Sequence, residues 1–141
     1  VYPWLVAEED GKILAYAYAH RAQERAAYNW NAELSVYVSK AAAGMGLGTR
    51  LYRALLELLQ KQGVRTAYGV VTMPNDASAA LHRKLGFGLL GTYHNTGYKN
   101  GCWRDVVWFE RHIGSFDGAP KPLRPIGEIA DREAVLRAYS K

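Results

Sequence analysis

The sequence predicts an α/β fold, in which helices cover the faces of a mixed β-sheet. Segments with strand alternation and segments with helical spacing follow one another, and a glycine-rich stretch connects a strand to a helix. The 141 residues are 49% hydrophobic and 22% charged, a composition typical of one globular domain that excludes a disordered or fibrous protein. The apolar stretches are far shorter than the roughly 20 residues of a transmembrane helix. We expect a soluble, cytoplasmic protein.

The chain opens with two short strands and a polar loop. Residues 5–9 and 13–20 favour strands, and Gly11 lies in the turn between them, which predicts a hairpin. Residues 21–31 are polar and are expected to form a loop. Residues 33–38 then alternate between apolar and polar side chains, so they predict a third strand.

Two helices and a strand follow. The first helix begins after the small residues 41–48 and ends at Gly63, and a strand is predicted over residues 65–72. The second helix begins near Asn75 and ends before Gly86. The leucines at helical spacing are Leu47, Leu51, Leu55, Leu58 and Leu59 in the first helix and Leu81 and Leu85 in the second.

Two long strands complete the sheet. They are predicted over residues 87–93 and 102–110, and Asn100-Gly101 supplies a tight turn between them.

The chain is interpreted as one domain with a tail. Residues 1–113 form the domain, and residues 114–141 form a C-terminal extension that contains prolines. Residues 128–139 are a candidate terminal helix.

The glycine-rich segment offers the first chemical signal. Gly44, Gly46 and Gly48 lie between a strand and a helix, where backbone N–H groups and the helix N-terminus attract an anion such as a pyrophosphate. A tight turn without a ligand is the alternative, because glycines also permit such turns. A nucleotide-binding P-loop is excluded, since Thr49 and Arg50 stand where that motif needs Lys and Ser or Thr.

Several motifs in order give the chain a family resemblance. The glycine segment is followed by an Asn-Asp helix start and a Leu-Gly-Phe helix end, and the chain resembles the GCN5-related N-acetyltransferase (GNAT) superfamily. Over residues 1–110 it is similar to the phosphinothricin acetyltransferase-like branch. The matching segments are Ala32-Glu33-Leu34-Ser35-Val36-Tyr37-Val38, Leu47-Gly48-Thr49-Arg50-Leu51-Tyr52, Leu81-His82, and Gly97-Tyr98-Lys99-Asn100-Gly101-Cys102-Trp103-Arg104-Asp105-Val106.

The resemblance implies a GNAT-type sheet, mixed and mostly antiparallel, that lacks the family's N-terminal strand and two helices. It implies an acetyl-CoA-dependent N-acetyltransferase acting on the amino group of a small amino acid or analogue, such as phosphinothricin, methionine sulfoximine or methionine sulfone. Acetyl-CoA is the expected cosubstrate, and a homodimer is expected. Acetylation of another small primary amine and a non-catalytic CoA-binding or sensory module are the alternatives.

The resemblance also implies a set of coenzyme-binding residues. Ala43 replaces the Gln or Arg that opens the family's pyrophosphate loop, so binding is expected to depend on backbone donors. Asn75 is expected to bind the pantetheine arm, and a simple helix N-cap is the alternative. The expected coenzyme-binding residues are Val36, Tyr37, Val38, Gly44, Met45, Gly46, Leu47, Gly48, Thr49, Asn75 and Ser78.

Two residues are candidates for catalysis. Glu33 is the candidate general base, because an ammonium must lose a proton before it attacks a thioester. The alternative is a solvated carboxylate at the strand edge. His82 stands where many relatives have a Tyr that acts as the acid, which implies a proton donor or second base. The alternative is a histidine that packs beside Leu81 and Leu85.

The acceptor site is expected to combine a cation with aromatic rings. Arg25 can pair with a carboxylate or phosphinate oxygen, and a solvated loop arginine is the alternative. Tyr28, Tyr98, Lys99 and Trp103 match the acceptor region of the branch. For Lys99 and Trp103, a dimer contact or hairpin packing is the alternative.

The remaining composition argues against other partners. The net charge of +5 comes from basic residues spread over the chain, so binding to nucleic acid is a weak alternative. The four histidines lack the spacing of metal ligands, and the single cysteine, Cys102, is interpreted as an ordinary strand residue. We therefore expect no metal, nucleic-acid or membrane partner.

Overall fold

A computed structural model describes residues 1–140 of the chain. None of the helices in this range combines the length and apolarity needed to cross a membrane. The strands are β1 (Trp4–Glu9), β2 (Lys12–Arg21), β3 (Asn31–Val38), β4 (Thr66–Thr72), β5 (Gly88–Lys99) and β6 (Cys102–His112), and the helices are α1 (Leu47–Gln62), α2 (Asp76–Lys84) and α3 (Arg132–Ala138).

All six strands belong to one sheet, in the order β1-β2-β3-β4-β6-β5. Each neighbouring pair is antiparallel except β3 and β4, which run parallel because α1 connects them across one face of the sheet. The predicted mixed, mostly antiparallel sheet flanked by helices is confirmed.

Two hairpins turn where the sequence predicts them. The first turns at Asp10 and Gly11, with φ of 51° and 77°, and the last turns at Asn100 and Gly101, with φ of 52° and 76°. Two consecutive residues with positive φ match the right-handed twist of the flanking strands. Both predicted turns are therefore confirmed.

Helix α1 covers one face of the sheet with its leucines. Leu55 and Leu59 are fully buried, and each contributes about 1.5–3 kcal/mol through burial. The covered face presents small side chains, among them the buried Ala17 and Ala32, which let the helix approach closely. Gly63 ends the helix with φ of 102°, as predicted.

Strand β5 is longer than predicted. The sequence indicates an end at residue 93, whereas the strand continues to Lys99. Its pairing register with β6 shifts near Asn95, which has φ of 50°. The Asp105 carboxylate accepts a 2.9 Å hydrogen bond from the Asn95 N–H. This bulge interrupts the side-chain alternation, so the sequence pattern ends before the strand does.

The C-terminal segment packs against α1 and the loop before β3. Gln62 Nε2 donates to the Arg124 carbonyl at 2.9 Å, and Trp30 Nε1 donates to the Lys121 carbonyl at 2.8 Å. Ile129 is 1% exposed. The predicted terminal helix is present as α3 and is shorter than expected. The division of the chain at residue 113 stays a prediction.

The opposite face of the sheet carries aromatic side chains from β1, β2 and β3. Trp4 stacks on Tyr18 with ring centroids 4.4 Å apart, and Tyr16 stacks on Tyr37 at 5.4 Å. Trp4 and Tyr37 are more than half exposed. Because side chains alternate along a strand, Glu33 points to this same face.

Candidate active site

Strands β3 and β4 separate in the middle of the sheet. They pair over only four positions, from Asn31 with Thr66 to Leu34 with Gly69. Among residues 1–140, no pairing joins them beyond that point, although β3 continues to Val38 and β4 to Thr72. We call the opening between the two diverging ends the fork.

The backbone of β3 directs polar groups into the fork. The Ser39 N–H donates to the Leu14 carbonyl at 2.9 Å, so it points toward β2. Because backbone groups alternate between the two edges of a strand, the N–H groups of Val36 and Val38 point the other way, into the fork. The fork therefore presents two N–H donors to an extended, amide-containing ligand, as a neighbouring strand would.

The glycine loop lies beside the fork. Gly44 and Gly46 have φ of 83° and 74°, and a methyl group built on either would meet no atom within 4 Å. A Cβ built on Gly48 would lie 3.5 Å from both Val38 and Leu81. Strand β3, α1 and α2 therefore converge at Gly48, whereas the loop at Gly44 and Gly46 has open space beside it.

Helix α1 begins with unpartnered backbone donors. The Arg50 N–H is bonded to the Gly46 carbonyl at 3.1 Å, and the N–H groups of residues 47–49 have no such helical acceptor. These donors and the open glycine loop fit a pyrophosphate. The predicted loop residues are therefore together at one end of the fork.

Asn75 caps α2 with its side-chain oxygen. That oxygen accepts a 3.1 Å hydrogen bond from the Ser78 N–H. The N-cap alternative is therefore present in the structure. It leaves the amide nitrogen of Asn75 free of hydrogen bonds within residues 1–140, so a coenzyme contact is compatible with the cap.

Glu33 has a direct partner on β2. Its Oε2 lies 3.2 Å from His20 Nε2, and the two residues are paired across the antiparallel strands. The Glu33 side chain is 23% exposed and that of His20 is 47% exposed. The candidate base is therefore half-buried yet within reach of solvent.

His82 lies under the sheet at the base of the fork. It is 2% exposed, its Nδ1 donates to the Ser78 carbonyl at 2.7 Å, and its Nε2 lies 3.2 Å from the Tyr52 hydroxyl. Burial lowers the pKa of the His82 imidazole, with the hydrogen bond to Ser78 opposing the shift, so the ring is neutral at pH 7. This geometry favours the packing alternative over direct proton donation.

Tyr52 connects His82 to β3. Its hydroxyl lies 3.1 Å from the Leu34 carbonyl oxygen, at the last position where β3 pairs with β4. Burial raises the pKa of Tyr52, and the Glu33 carboxylate adds to the rise, so the hydroxyl keeps its proton. The single hydroxyl proton of Tyr52 thus faces two acceptors, the Leu34 carbonyl where the two strands part and Nε2 of the neutral His82.

The predicted acceptor residues fall into two groups. Arg25 and Tyr28 lie in the turn before β3, and Tyr28 is 45% exposed. Tyr98, Lys99 and Trp103 lie at the end of the β5–β6 hairpin, where the Tyr98 and Trp103 rings are 5.3 Å apart. Within residues 1–140, no hydrogen bond, ion pair or ring contact joins the two groups.

A separate cleft lies at the far end of the molecule. It has a volume of about 920 Å3 and is bounded by α1, the end of α2 and the end of β6. None of the predicted site residues lines it. The volume of this cleft therefore does not make it the candidate site. The fork and the glycine loop are preferred because they combine an opening in the sheet with unpaired backbone N–H groups.

Three residues near the predicted site were not predicted from the sequence. They are His20, Tyr52 and Gly69. For His20 a signal existed, because pairing the end of the predicted strand 13–20 with the start of strand 33–38 places it opposite Glu33. Tyr52 and Gly69 gave no comparable signal, since their contacts depend on how α1 and α2 pack on the sheet.

A family model and several relatives match this chain. The model of the acetyltransferase (GNAT) family matches residues 2–87. A phosphinothricin N-acetyltransferase of Streptomyces viridochromogenes is 41% identical over 128 residues, which are 91% of this chain and 69% of the relative. An L-methionine sulfoximine/L-methionine sulfone acetyltransferase of Pseudomonas aeruginosa is 34% identical over 120 residues, covering 84% of this chain and 70% of the relative.

The fold is also similar to a crystal structure. A GNAT superfamily phosphinothricin acetyltransferase from Sinorhizobium meliloti, in complex with AcCoA, superposes with a TM-score of 0.82 and 35% sequence identity. The match covers 89% of this chain and 69% of that protein. The chain therefore spans about seven tenths of the length of each of these three proteins.

Proposed function

Because this chain belongs to the acetyltransferase (GNAT) family, we propose that it transfers an acetyl group from acetyl-CoA to the amino group of a small amino acid or analogue. The acceptor is of the phosphinothricin, methionine sulfoximine or methionine sulfone type, as the names of the relatives suggest. The observation that carries the proposal is the fork beside the glycine loop, with Glu33 on the strand that forms one wall.

Acetyl-CoA supplies the acetyl thioester, and the chain supplies matching donors. The N–H groups of Val36 and Val38 face the fork and suit the amides of a pantetheine arm. The N–H groups at the start of α1 and the loop of Gly44 and Gly46 suit the pyrophosphate. The amide of Asn75, whose oxygen caps α2, remains available for a further hydrogen bond.

Glu33 serves as the general base. An amine attacks a thioester only as the free base, so the acceptor ammonium must first lose a proton. Glu33 is half-buried and held by His20, which keeps its carboxylate oriented at the sheet surface. His82 is neutral and buried, so its role is to hold Tyr52 and α2 in place.

The acceptor binds near the aromatic face. Arg25 pairs with the anionic group of the amino acid, and the ring of Tyr28 borders the same region. The exposed Tyr98 and Trp103 on the β5–β6 hairpin suit the contact of a homodimer, in which Lys99 reaches the acceptor. The cytoplasm is the proposed location, because acetyl-CoA is an intracellular metabolite.

The test is thiol release from acetyl-CoA across a panel of acceptors. We expect turnover with phosphinothricin, methionine sulfoximine or methionine sulfone, and none with simple polyamines. The Glu33→Gln variant is expected to lose 10²- to 10⁴-fold in kcat while acetyl-CoA still raises its Tm. Turnover with polyamines alone would favour another amine acceptor. Thermal stabilisation by acetyl-CoA without turnover on any acceptor would favour a non-catalytic CoA-binding module.

A further inference from the structure

His20 and Glu33 form an isolated pair on the open face of the sheet. Within residues 1–140, Glu33 makes no side-chain hydrogen bond other than the 3.2 Å contact with His20 Nε2. The other ring nitrogen of His20, Nδ1, lies 3.0 Å from the Arg21 carbonyl oxygen. The nearest ring is Tyr18, 6.1 Å away and tilted. Glu33 is therefore the one side chain within residues 1–140 to which His20 is hydrogen-bonded.

The hydrogen-bond chemistry fixes the location of one proton. A carbonyl oxygen only accepts, so Nδ1 carries the hydrogen that points to Arg21. In a neutral imidazole the other nitrogen, Nε2, then carries a lone pair. A lone pair and an ionised carboxylate repel each other at 3.2 Å, so the contact requires a proton between Nε2 and Glu33 Oε2.

We propose that His20 and Glu33 share a proton during catalysis, and that His20 takes over the proton that Glu33 removes from the acceptor ammonium. In the resting pair one proton lies between Nε2 and Oε2, and the 47% exposed His20 gives it to water before the acceptor is deprotonated. The N–H bond of the ammonium then breaks and an O–H bond forms on Glu33. Next that O–H bond breaks and an N–H bond forms at Nε2. The proton taken from the ammonium now lies between Nε2 and Oε2, so the resting pair is restored, and over the cycle one proton has passed to water.

The proposal rests on the proposed acetyltransferase function and adds a residue to it. His20 acts through Glu33, so it is a positioning residue whose ring nitrogen also accepts the proton. The Glu33 side chain is only 23% exposed, and bound substrate would cover it further. The more exposed His20 then gives the proton on Glu33 a route to solvent.

The decisive experiment separates hydrogen bonding from proton transfer. A His20→Gln variant keeps an N–H donor for Glu33 and cannot take up a proton, whereas a His20→Ala variant leaves a solvent-accessible space for added imidazole. His112 provides the matched control. Its ring also faces a carboxylate, that of Glu110, at 3.8 Å, but it lies at the C-terminal end of β6 and has no contact with Glu33. His112→Gln and His112→Ala are measured in parallel.

We expect both His20 variants to lose about tenfold or more in kcat/KM for the acceptor, with KM for acetyl-CoA within twofold of wild type. Imidazole is expected to restore the His20→Ala variant and to leave both His112 variants unchanged. Wild-type kcat/KM in His20→Gln, or failure of imidazole to restore His20→Ala, would overturn the proposal.

The proposed function and this inference fail in different ways. If the wild-type chain acetylates its acceptor and Glu33→Gln does not, while His20→Gln is fully active, only the proton-sharing pair is wrong. If neither the wild-type chain nor any variant turns over, the acetyltransferase function itself is wrong. Thermal unfolding of each variant with and without acetyl-CoA shows whether it is folded.

Discussion

The lack of a side chain at Gly69 allows His82 to lie flat against the sheet. A Cβ built on Gly69 would lie 2.2 Å from His82 Nε2 and 2.3 Å from its Cδ2. Real Cβ atoms do not approach so closely, so any larger residue displaces the imidazole. That displacement would break the hydrogen bonds of His82 with Ser78 and Tyr52.

We therefore expect Gly69→Ala to destabilise the protein by about 3 kcal/mol, because the buried ring must move and loses its partners. Gly88→Ala is the matched control, since a Cβ there meets nothing within 4 Å. Urea unfolding of both variants measures the effect. Equal stability of the two variants would contradict the proposed packing of His82 on Gly69.

His82 also predicts a dependence of stability on pH. Its pKa in the folded protein lies below the ordinary value of about 6.5, so the unfolded chain binds the additional proton first as the pH falls. Its contribution to stability is complete above about pH 6.5 and decreases as the pH is lowered from there toward the folded-state pKa.

The measurement is Tm between pH 7.5 and pH 5 for wild type and His82→Gln. We expect the variant to show a shallower loss of Tm over this range. Parallel curves for wild type and His82→Gln would refute the argument.

Residue identities in the candidate site were partly predictable. Strand alternation gives the position of Glu33 on its strand and small residues before a helix give the glycine loop, both of which are local patterns, whereas the choice of Glu33 as the candidate base comes from the family resemblance. The partners of Glu33 and His82 depend on strand register and helix packing, which join residues distant in the chain. His20 is the exception, because pairing the two predicted strands already places it opposite Glu33.

At the scale of elements, the glycine loop combines positive φ angles with open space beside its glycines. Gly46 has positive φ, so an alanine there costs about 1 kcal/mol in strain without any steric contact. The strain is expected to shift the N–H groups at the start of α1. Gly46→Ala should therefore raise KM for acetyl-CoA several-fold.

Gly118 offers the comparison for this change. It has φ of 69°, and a Cβ there would also meet nothing within 4 Å, but it lies in the C-terminal segment. Both alanine variants should lose similar stability, and only Gly46→Ala should alter KM for acetyl-CoA. An equal effect on KM at the two positions would show that the loop has no special role.

Element boundaries were predicted well where one pattern runs unbroken. Helix α1 ends at Gly63 as expected, because its leucine spacing and its terminal glycine agree. Strand β5 was predicted too short, because the bulge at Asn95 breaks the alternation and is stabilised by Asp105 from the next strand. A hydrogen bond between two strands cannot be predicted from the residue pattern of one strand alone.

At the scale of the whole molecule, the C-terminal segment shares the core of the sheet domain. Ile129 is 1% exposed and Val135 5% exposed. Lys61 on α1 forms a 2.7 Å ion pair with Asp131, which adds little because both side chains are exposed to solvent. The apolar contacts therefore dominate the attachment of this segment.

We expect Ile129→Ala to destabilise the chain by about 2–5 kcal/mol and to lower the Tm of a single unfolding transition. Ile13→Ala is the control, because Ile13 is 61% exposed and its truncation leaves no cavity. Calorimetry distinguishes the outcomes. Two separate transitions, of which only one responds to Ile129→Ala, would mean that the tail unfolds independently of the sheet.

The fork described between β3 and β4 amounts to a free strand edge placed inside a sheet. Outer edges are open along their full length and invite strands of other chains, which leads to aggregation. Here β2 protects one side of β3, β6 protects β4, and Tyr52 closes the inner end. Only a slender, peptide-like chain that enters end-on fits the remaining hydrogen-bonding groups, so the gap that suits the proposed coenzyme arm also guards against self-association.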